Sequence, residues 1–350
     1  MGGVSLQTLM HMKPAEWRWG RAVRAAVCVG APFAAGLMLG DIMTGMWIAM
    51  GCLMMATGEG HAPYRKVYLT ILASAPIGAL GYLMGYLGSL PWSLVVLSMM
   101  LVGLVAGILS SRSHAWSLGT LQTLLLASIA VGVPAIAPFW QPAVLYLAGA
   151  IFYALVLGVE VLIFGWHAQD MPVRAAIASE PAPPLPERRE ARSLIQALAL
   201  ALCLGAAYAS HWFDRTPHWF WIPLTVGLVM KPDLGPVFDR SLQRIIGTLV
   251  GVAVGALLLS FVAKGYLSVL IMAALAGILP WAMQRSYALQ AVVLTPLILM
   301  LVDVIVPGTR DVDFALQRLI DTVIGCAIVL LIGYLPWQSP ASDSKEEKPA

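Results

Sequence analysis

Residues 239–251 read DRSLQRIIGTLVG, and residues 313–325 read DFALQRLIDTVIG. The second stretch follows the first by 74 residues and repeats its Asp, its Leu-Gln-Arg, its Thr and its final Gly in the same order. Each copy opens a long apolar segment. Self-similarity at a fixed spacing indicates duplicated architecture, and polar residues inside an apolar segment need a reason. The phrase therefore predicts an internal repeat and a polar site among apolar helices.

The composition predicts a membrane protein. Of the 350 residues, 59% are hydrophobic and 11% are charged, and the mean hydropathy is +0.82, whereas soluble domains carry roughly 25% charged residues. The net charge of +3 is too small to favour nucleic-acid binding. The cysteines lie far apart within apolar stretches, so we expect buried membrane-core residues rather than disulfides or metal ligands. They are Cys28, Cys52, Cys203 and Cys326.

Apolar segments along the chain predict an all-α protein that crosses a bilayer many times. A span takes about 20 mostly apolar residues, and twelve stretches are candidates, of which 43–57 and 218–231 are short. The N-terminal stretch lacks a convincing cleavage site, so we expect the first segment to be retained. The candidates are 21–40, 43–57, 67–86, 92–110, 116–134, 142–165, 194–210, 218–231, 244–263, 266–283, 286–305 and 317–337.

Charges and prolines predict the organisation of these segments. Most Lys and Arg residues fall on the N-terminal side of the membrane under this segment count, which favours cytoplasmic N- and C-termini. We expect an N-terminal membrane half over 1–166, a cytoplasmic Pro- and Arg-rich linker over 167–193, a C-terminal membrane half over 194–337 and a disordered charged tail over 338–350.

Two levels of repeat are visible within these halves. At an offset of 174 residues, Trp47-Ile48 matches Trp221-Ile222 and Gly81 matches Gly255. Six helices separate these matches, so the halves would share one orientation, whereas the copies of the opening phrase lie three helices apart and would point in opposite directions. Two six-helix halves with nested three-helix inverted repeats are a transporter plan, with sites near the midplane.

The repeated Gln-Arg pair is the main candidate for anion binding. Arginine donates bidentate hydrogen bonds to carboxylates, although snorkelling of either side chain to the interface is the alternative. The Thr four residues after each Arg lies on the same helix face. Packing is the alternative for these Thr residues and the favoured role for Gly251 and Gly325. The candidate anion-binding residues are Gln243, Arg244, Thr248, Gln317, Arg318 and Thr322.

Three acids embedded in apolar runs are candidates for proton coupling. Asp321 replaces the Gly247 of the first copy, and a local pair with Arg318 is its alternative role. Asp303 is expected nearer the outer interface, and Glu160 has no evident local partner. An ionised acid inside a bilayer costs several kcal/mol unless it is paired, so each of the three needs a partner or a function.

The stretch from His218 to Asp233 is rich in aromatic residues and interrupted by Pro223. An interfacial aromatic belt is one explanation for Trp219 and Phe220. Because Pro223 frees a backbone carbonyl and interrupts the helix, Trp221 would lie beside a break and could line a pocket for an aromatic ligand. Lys231 ends the stretch and is a further candidate contact for an anion.

These residues resemble the fusaric acid resistance family. The resemblance is carried by WFWIPLT at 219–225, by Lys231-Pro232 and by the phrase at 243–251; it is close over about 194–337 and looser over 17–166. The family includes bacterial aromatic acid exporters and is distantly similar to plant aluminium-activated malate channels. Leu69 and Thr70 stand where the second half has its Gln-Arg pair, so we expect an asymmetric site drawn mainly from the second half.

The resemblance implies a bacterial inner-membrane protein that moves organic anions outward, often weak aromatic acids. The embedded acids add the expectation of proton coupling. The expected partners are the organic-anion substrate and the lipid bilayer, together with a second copy in a dimer or a periplasmic adaptor protein. The alternatives are an organic-anion channel and a membrane scaffold or lipid-handling subunit. No enzymatic activity, cofactor or metal is expected, because nucleophile-base sets, HxxH spacing and a P-loop are all absent from the sequence.

Overall fold

A computed structural model describes residues 12, 14–59, 63–133, 138–165, 186–213, 216, 218–231, 237–262, 265–305 and 312–337. Within these ranges the chain forms twelve apolar α-helices and no strand. The first six are α1 (Trp19–Leu39), α2 (Ile42–Gly58), α3 (Tyr64–Leu83), α4 (Trp92–Ser110), α5 (His114–Gly132) and α6 (Gln141–Phe164). The others are α7 (Pro186–Ala209), α8 (Trp221–Val229), α9 (Val237–Phe261), α10 (Tyr266–Arg285), α11 (Tyr287–Ile305) and α12 (Val312–Ile328).

Helix length separates these elements into two classes. Nine of the described helices are long and apolar enough to cross a membrane. Helix α3 continues into a 3₁₀ turn over Met84–Ser89, and α12 continues into a π-helical turn over Val329–Tyr334. Helix α2 has 17 residues and α8 only 9, whereas α11 has 19, as many as α4 and α5. The all-α multi-pass architecture is confirmed. The short segments expected at 43–57 and 218–231 are also observed, as α2 and α8.

Helix α7 begins earlier than the sequence indicates. It starts at Pro186, within the stretch expected to be linker up to residue 193. Proline is tolerated in the first turn of a helix, since the N–H that it lacks would have no partner there. The rest of the predicted linker, 167–185, and the predicted tail, 338–350, lie outside the described residues.

Two capping residues explain the sharp reversal between α1 and α2. Gly40 ends α1 in the left-handed conformation, with φ of 74°, and its N–H bonds back to the last turn. Asp41 then caps α2 by accepting hydrogen bonds from the N–H of Thr44 at 3.1 Å and from its hydroxyl at 2.6 Å. Glycine adopts this conformation without the steric cost that a side chain would add, so the chain turns between the two helices with only two residues, Gly40 and Asp41.

The helices pack as two groups that meet at the centre of the molecule. In the first group α3 packs on α5 and α6, and in the second group α9 packs on α11 and α12. Between the groups, α4 contacts α7 and α10 contacts α1. Contacts of α5 with α8, and of α2 with α11, close the middle. Helices α2, α8 and α11 therefore lie where the two groups face each other.

Small residues allow the closest helix contacts. A methyl group added at Gly251 of α9 would lie 2.8 Å from Cβ of Thr295 and 3.1 Å from the carbonyl oxygen of Ala291, both on α11. A methyl group added at Gly325 of α12 would lie 2.9 Å from Cβ of Thr225 on α8. These are the two glycines that end the copies of the repeated phrase, and both serve helix packing as the sequence predicts.

Replacing Gly251 with Ala should lower the thermal stability of the detergent-solubilised protein, because overpacking typically costs about 1–3 kcal/mol. Gly158, in α6, is the matched control: an added methyl group there would have no atom within 4 Å. Gly158→Ala should raise stability slightly, because Ala is a better helix former than Gly by about 1 kcal/mol. Equal melting temperatures for the two variants would contradict the close packing of α9 on α11.

Candidate functional site

The two arginines of the repeated phrase are fully buried. Arg244, on α9, and Arg318, on α12, each have 0% of their surface exposed. Their guanidinium groups are close enough to repel each other. An arginine that snorkels keeps its charged head in water, so the snorkelling interpretation is wrong for both residues. The structure instead brings the two copies of the phrase together in the interior.

Neither guanidinium group is hydrogen-bonded to the described part of the chain. All three nitrogen atoms of Arg244 and of Arg318 lack such a partner. The hydroxyl of Tyr287 approaches Arg244 but donates to the carbonyl oxygen of Leu228 at 3.1 Å. Arg318 lies over the ring of Trp221, with 5.1 Å from Cζ to the ring centroid, which provides a cation–π contact. An unpaired buried charge costs several kcal/mol, so these nitrogens are strong candidates to bind an anion.

Further donors lie on three neighbouring helices, α8, α9 and α11. The side chains of Trp221 and Thr225 on α8, Thr248 on α9 and Thr295 on α11 are fully buried. The indole nitrogen of Trp221 and the three hydroxyl groups also lack a hydrogen-bond partner among the described residues. Hydroxyl and indole N–H groups both donate to anions. The region is therefore rich in donors that the described protein does not satisfy.

The remaining polar residues of the second copy are already engaged. The amide nitrogen of Gln317 donates to Oδ1 of Asp321 at 3.3 Å and to the hydroxyl of Thr216 at 3.0 Å. Asp321 is fully buried and attracts the neighbouring Arg318. Thr322 donates to the carbonyl oxygen of Arg318 at 2.8 Å. Gln317 thus orients Asp321 in this structure. In the first copy, Gln243 is half-buried beside Arg244.

We call Arg244, Arg318 and Asp321 the arginine centre. It combines two positive charges with one negative charge, all within a helix core. Asp303, the third predicted acid, is buried towards the end of α11; it is absent from the lining of the cavity described next.

A central cavity lies between the two helix groups. Its volume is about 120 Å³, and leucine, isoleucine and methionine side chains of α2, α5, α8 and α11 form most of its wall. Aromatic and polar groups also line it: Thr57, Gln122, Phe220, Trp221, Lys231, Tyr287 and Gln290. Trp221 and Tyr287 border both the cavity and the arginines, whereas neither Arg244 nor Arg318 lines it. These two rings therefore separate the cavity from the arginine centre.

The aromatic run before α8 faces the interior rather than the lipid. Trp219, Phe220 and Trp221 are all buried. Trp219 packs edge-on against Trp92 and Tyr208, with ring centroids 5.0 Å and 5.7 Å apart. The predicted interfacial belt is therefore wrong for both residues, because α4 and α7 cover Trp219 and Phe220 packs against Gly132 of α5. The alternative, a ring-lined pocket beside Pro223, agrees with the position of Trp221 in the cavity wall.

A second charged cluster, in the first helix group, was not expected from the sequence. Arg24 donates to both carboxylate oxygens of Glu59, at 2.9 Å and 2.7 Å, and also to Glu160. Arg21 donates to Glu59 at 2.9 Å. The hydroxyl of Tyr64 donates to Glu160 at 2.6 Å, and that of Tyr153 donates to Glu59. We call these six residues the ion-pair cluster; it contains two arginines and two glutamates.

The ion-pair cluster supplies distant partners for Glu160. The sequence indicates no local partner, but Glu160 is held by Arg24, which is far away along the chain, and by Tyr64. A partial signal exists in the sequence, since Arg21 and Arg24 are three residues apart and so lie on one face of α1. Nothing in the local sequence around Glu59 or Glu160 indicates that both turn towards that face.

The charges of the cluster favour ionised Glu59. Burial alone would raise the pKa of this carboxyl, but the charges and hydrogen bonds of Arg24 and Arg21 outweigh it and hold the pKa below its usual value. Glu59 directly follows α2, whose residues Met50, Leu53 and Thr57 line the cavity. The cluster therefore ties the end of a cavity wall to α1 and α6.

Replacing Glu59 with Gln should destabilise the protein by about 3–5 kcal/mol, because it leaves buried arginine charge uncompensated. Glu16, which is exposed, is the matched control for the same change. The contribution of Glu59 is complete above its unfolded pKa of about 4.3 and is lost as pH falls through the lower folded pKa. Thermal melts from pH 7 to pH 3 should therefore converge for wild type and Glu59→Gln at the acid end. A constant difference between them across this range would contradict the ionised pair.

Part of this chain matches known proteins. Helices that cross the bilayer repeatedly and bury ionisable side chains define a multi-pass membrane protein. Residues 200–332 match the family described as Fusaric acid resistance protein-like. The resemblance inferred from the sequence is thereby confirmed over α7–α12, which carry the arginine centre.

Three curated relatives match parts of the chain. The inner membrane protein YccS of Escherichia coli (strain K12) is 37% identical over 134 residues, which are 37% of this chain and 18% of the relative. The uncharacterized membrane protein YvaC of Bacillus subtilis (strain 168) is 32% identical over 152 residues, or 41% of this chain and 23% of the relative. The uncharacterized protein slr1298 of Synechocystis is 32% identical over 142 residues, which are 39% of this chain and 18% of the relative. The matches thus span less than a quarter of each relative, and no solved structure matches the chain.

Proposed function

We propose that this protein is an inner-membrane transporter that exports organic anions, with weak aromatic carboxylic acids as its substrate class. The observation that carries the proposal is the arginine centre, in which two fully buried guanidinium groups have no hydrogen-bond partner among the described residues. Desolvated donors that the protein leaves unsatisfied are a large energetic cost. A carboxylate bound in the bidentate geometry that arginine favours would offset that cost.

The charge balance of the two clusters supports a monoanion as substrate. The ion-pair cluster matches Arg21 and Arg24 with Glu59 and Glu160, so its charges cancel. In the arginine centre, two arginines face the single carboxylate of Asp321. One further negative charge would balance the arginine centre in the same way. A monocarboxylate brings that charge.

The central cavity supports an apolar or aromatic body for the substrate. Its wall is mostly aliphatic, with the rings of Phe220, Trp221 and Tyr287 on one side, and offset or edge-on packing of aromatic rings is favourable. Lys231, just after α8, also lines this cavity. We propose that its ammonium group attracts the anion before the arginines bind it. The carboxylate would reach Arg244 and Arg318 when Trp221 and Tyr287 move aside. Gln243, Thr248 and Thr322 would complete the contacts from the next helix turns.

We assign proton coupling to Asp321. It lies beside Arg318 and accepts a hydrogen bond from Gln317, so its protonation would free Arg318 for the substrate carboxylate. Glu160 already neutralises Arg24, and Asp303 lies outside the cavity wall, which makes both weaker candidates. Because the arginines have no exposed surface, the arrangement supports a carrier that changes conformation rather than an open channel.

A duplicated architecture supports this mechanism. We infer two six-helix halves, α1–α6 and α7–α12, because equivalent helices pack in the same pairs: α3 on α5 and α9 on α11, α2 on α6 and α8 on α12. Related halves around a central site are the plan on which alternating access depends. We further propose cytoplasmic termini, as the Lys and Arg distribution predicts, and either a dimer or a periplasmic adaptor as the assembly partner.

Replacing Arg244 or Arg318 with Met should reduce the uptake of benzoate into everted vesicles, which corresponds to export from the cell, at least tenfold, because either change removes half of the anion-binding charge. The melting temperature should stay level or rise, since an apolar side chain of similar length removes an unpaired buried charge. Arg112→Met, at an exposed position, is the matched control and should export normally. Wild-type rates in both buried variants would overturn the assignment of the arginine centre.

Arg24→Met separates this role from general damage. It disrupts the ion-pair cluster, so it should lower the melting temperature by leaving Glu59 and Glu160 without their shared partner. If Arg244→Met and Arg318→Met lowered stability as much as Arg24→Met does, their loss of export would reflect unfolding. The proposal requires instead that Arg244→Met and Arg318→Met lose export while they keep the melting temperature of the wild type.

A further inference from the structure

A second and larger cavity lies at one end of the first helix group. Its volume is about 410 Å³, and the ends of α3 and α5 and the beginnings of α2 and α6 form its wall. The ion-pair cluster lies at the opposite end of these helices, because its Tyr64 is the first residue of α3. With the cytoplasmic termini proposed above, the large cavity lies towards the outer side of the membrane. We call it the outer cavity.

The outer cavity has a buried floor and an exposed mouth. Trp47 and Tyr82 form the floor; both are buried, and their rings pack edge-on with centroids 5.0 Å apart. Tyr86 and Phe139 form the mouth; each is more than half exposed, and their ring centroids are 6.0 Å apart. The cavity is therefore accessible from outside the helix core.

The floor carries a hydrogen-bond donor that the described chain leaves unused. The hydroxyl group of Tyr82 is buried and has no hydrogen-bond partner among the described residues. Burying such a group without a partner is unfavourable, so a ligand with an acceptor atom would be stabilised there. None of the described residues that line the outer cavity is charged. An anion would therefore be held by a neutral donor, more weakly than by the guanidinium groups of the arginine centre.

An aromatic ring and a glycine separate the outer cavity from the central cavity. On α5, Ile129 lines the central cavity, and Gly132, three residues later, lines the outer cavity. Phe220 also lines the central cavity, and its ring lies against Gly132: a methyl group added at Gly132 would be 2.6 Å from Cγ of Phe220. Because Gly132 has no side chain, the ring of Phe220 fills the space between the two cavities.

This barrier and Lys231 lie at opposite ends of the central cavity. Phe220 directly precedes α8, Lys231 follows it, and both line the cavity. The 9 residues of α8 rise about 14 Å, which separates the two side chains along the membrane normal. An anion that Lys231 attracts from the cytoplasmic side would therefore meet Phe220 before it reached the outer cavity.

We propose that the outer cavity is the exit chamber for the organic anion and that the ring of Phe220 is the gate between it and the central cavity. The inference rests on the proposed function and deepens it by assigning the path of release. When the ring turns away from Gly132, the anion passes into a chamber without a charged partner. A weakly bound ligand dissociates quickly, so the anion leaves through the mouth rather than being retained.

The test of the gate uses single introduced cysteines and a membrane-impermeant thiol reagent on the outer side of spheroplasts. Val131→Cys, in the wall of the outer cavity, should react rapidly, and Ile129→Cys, in the wall of the central cavity, should react slowly. Adding Phe220→Ala should accelerate the reaction of Ile129→Cys at least tenfold, because the blocking ring is gone. Phe33→Ala is the matched control: it removes a buried ring of α1 that lines neither cavity, and should not accelerate the reaction.

A protection measurement tests the chamber itself. Benzoate on the outer side should protect Val131→Cys from the reagent. Adding Tyr82→Phe should raise the benzoate concentration needed for half-protection about tenfold, as the loss of one hydrogen bond to a charged group predicts. Unchanged protection in Tyr82→Phe, or an unreactive Val131→Cys, would overturn the exit chamber.

The accessibility of Ile129→Cys separates the gate from transport. Rapid reaction in the presence of the native Phe220, or equal acceleration by Phe33→Ala, would overturn the gate even if vesicles accumulated benzoate. If instead the cysteines reacted as expected while vesicles took up no benzoate, the gate between the cavities would stand and the export function would fail.

Discussion

The burial of two arginines without hydrogen-bond partners in the described chain is the constraint on which the second helix group depends. Taking a guanidinium group out of water is costly, and Arg244 and Arg318 also repel each other. Asp321 and the ring of Trp221 offset part of this cost, and the tight packing of α9 on α11 and of α12 on α8 holds the geometry. Stability therefore comes from the helix contacts, while the arginine centre remains a local source of instability that binding would relieve.

The two helix groups use buried charge in different ways. In the first group the charges of the ion-pair cluster are matched, and its hydrogen bonds join α1, α6 and the end of α2. In the second group the described charges are unmatched. A group with paired charges and a group with unpaired arginines therefore face each other across the cavity. The family match, over residues 200–332, covers the group with the unpaired arginines.

The fold could be predicted from the sequence further than the site could. Apolar segments and charge scarcity predict the helices closely, including the short α2 and α8, because hydropathy and length depend on local composition. The repeated Leu-Gln-Arg phrase predicts which two arginines come together in the interior. Long-range contacts could not be predicted: Glu160 meets Arg24, Trp219 is covered by α4 and α7, and Gln290 lies in the cavity only because α11 faces α2. Periodicity indicates which residues share a helix face but does not identify the neighbouring helix.

The shortness of α8 has a consequence for how the protein is made. Its 9 residues rise about 14 Å, roughly half of the hydrocarbon thickness of a bilayer. Such a segment cannot be retained by lipid alone, and α9 and α12 each carry a buried arginine that lipid also disfavours. These three helices become stable in the membrane only against one another and against α5 and α7. Synthesis must therefore pass through α12 before these helices can pack around the two arginines.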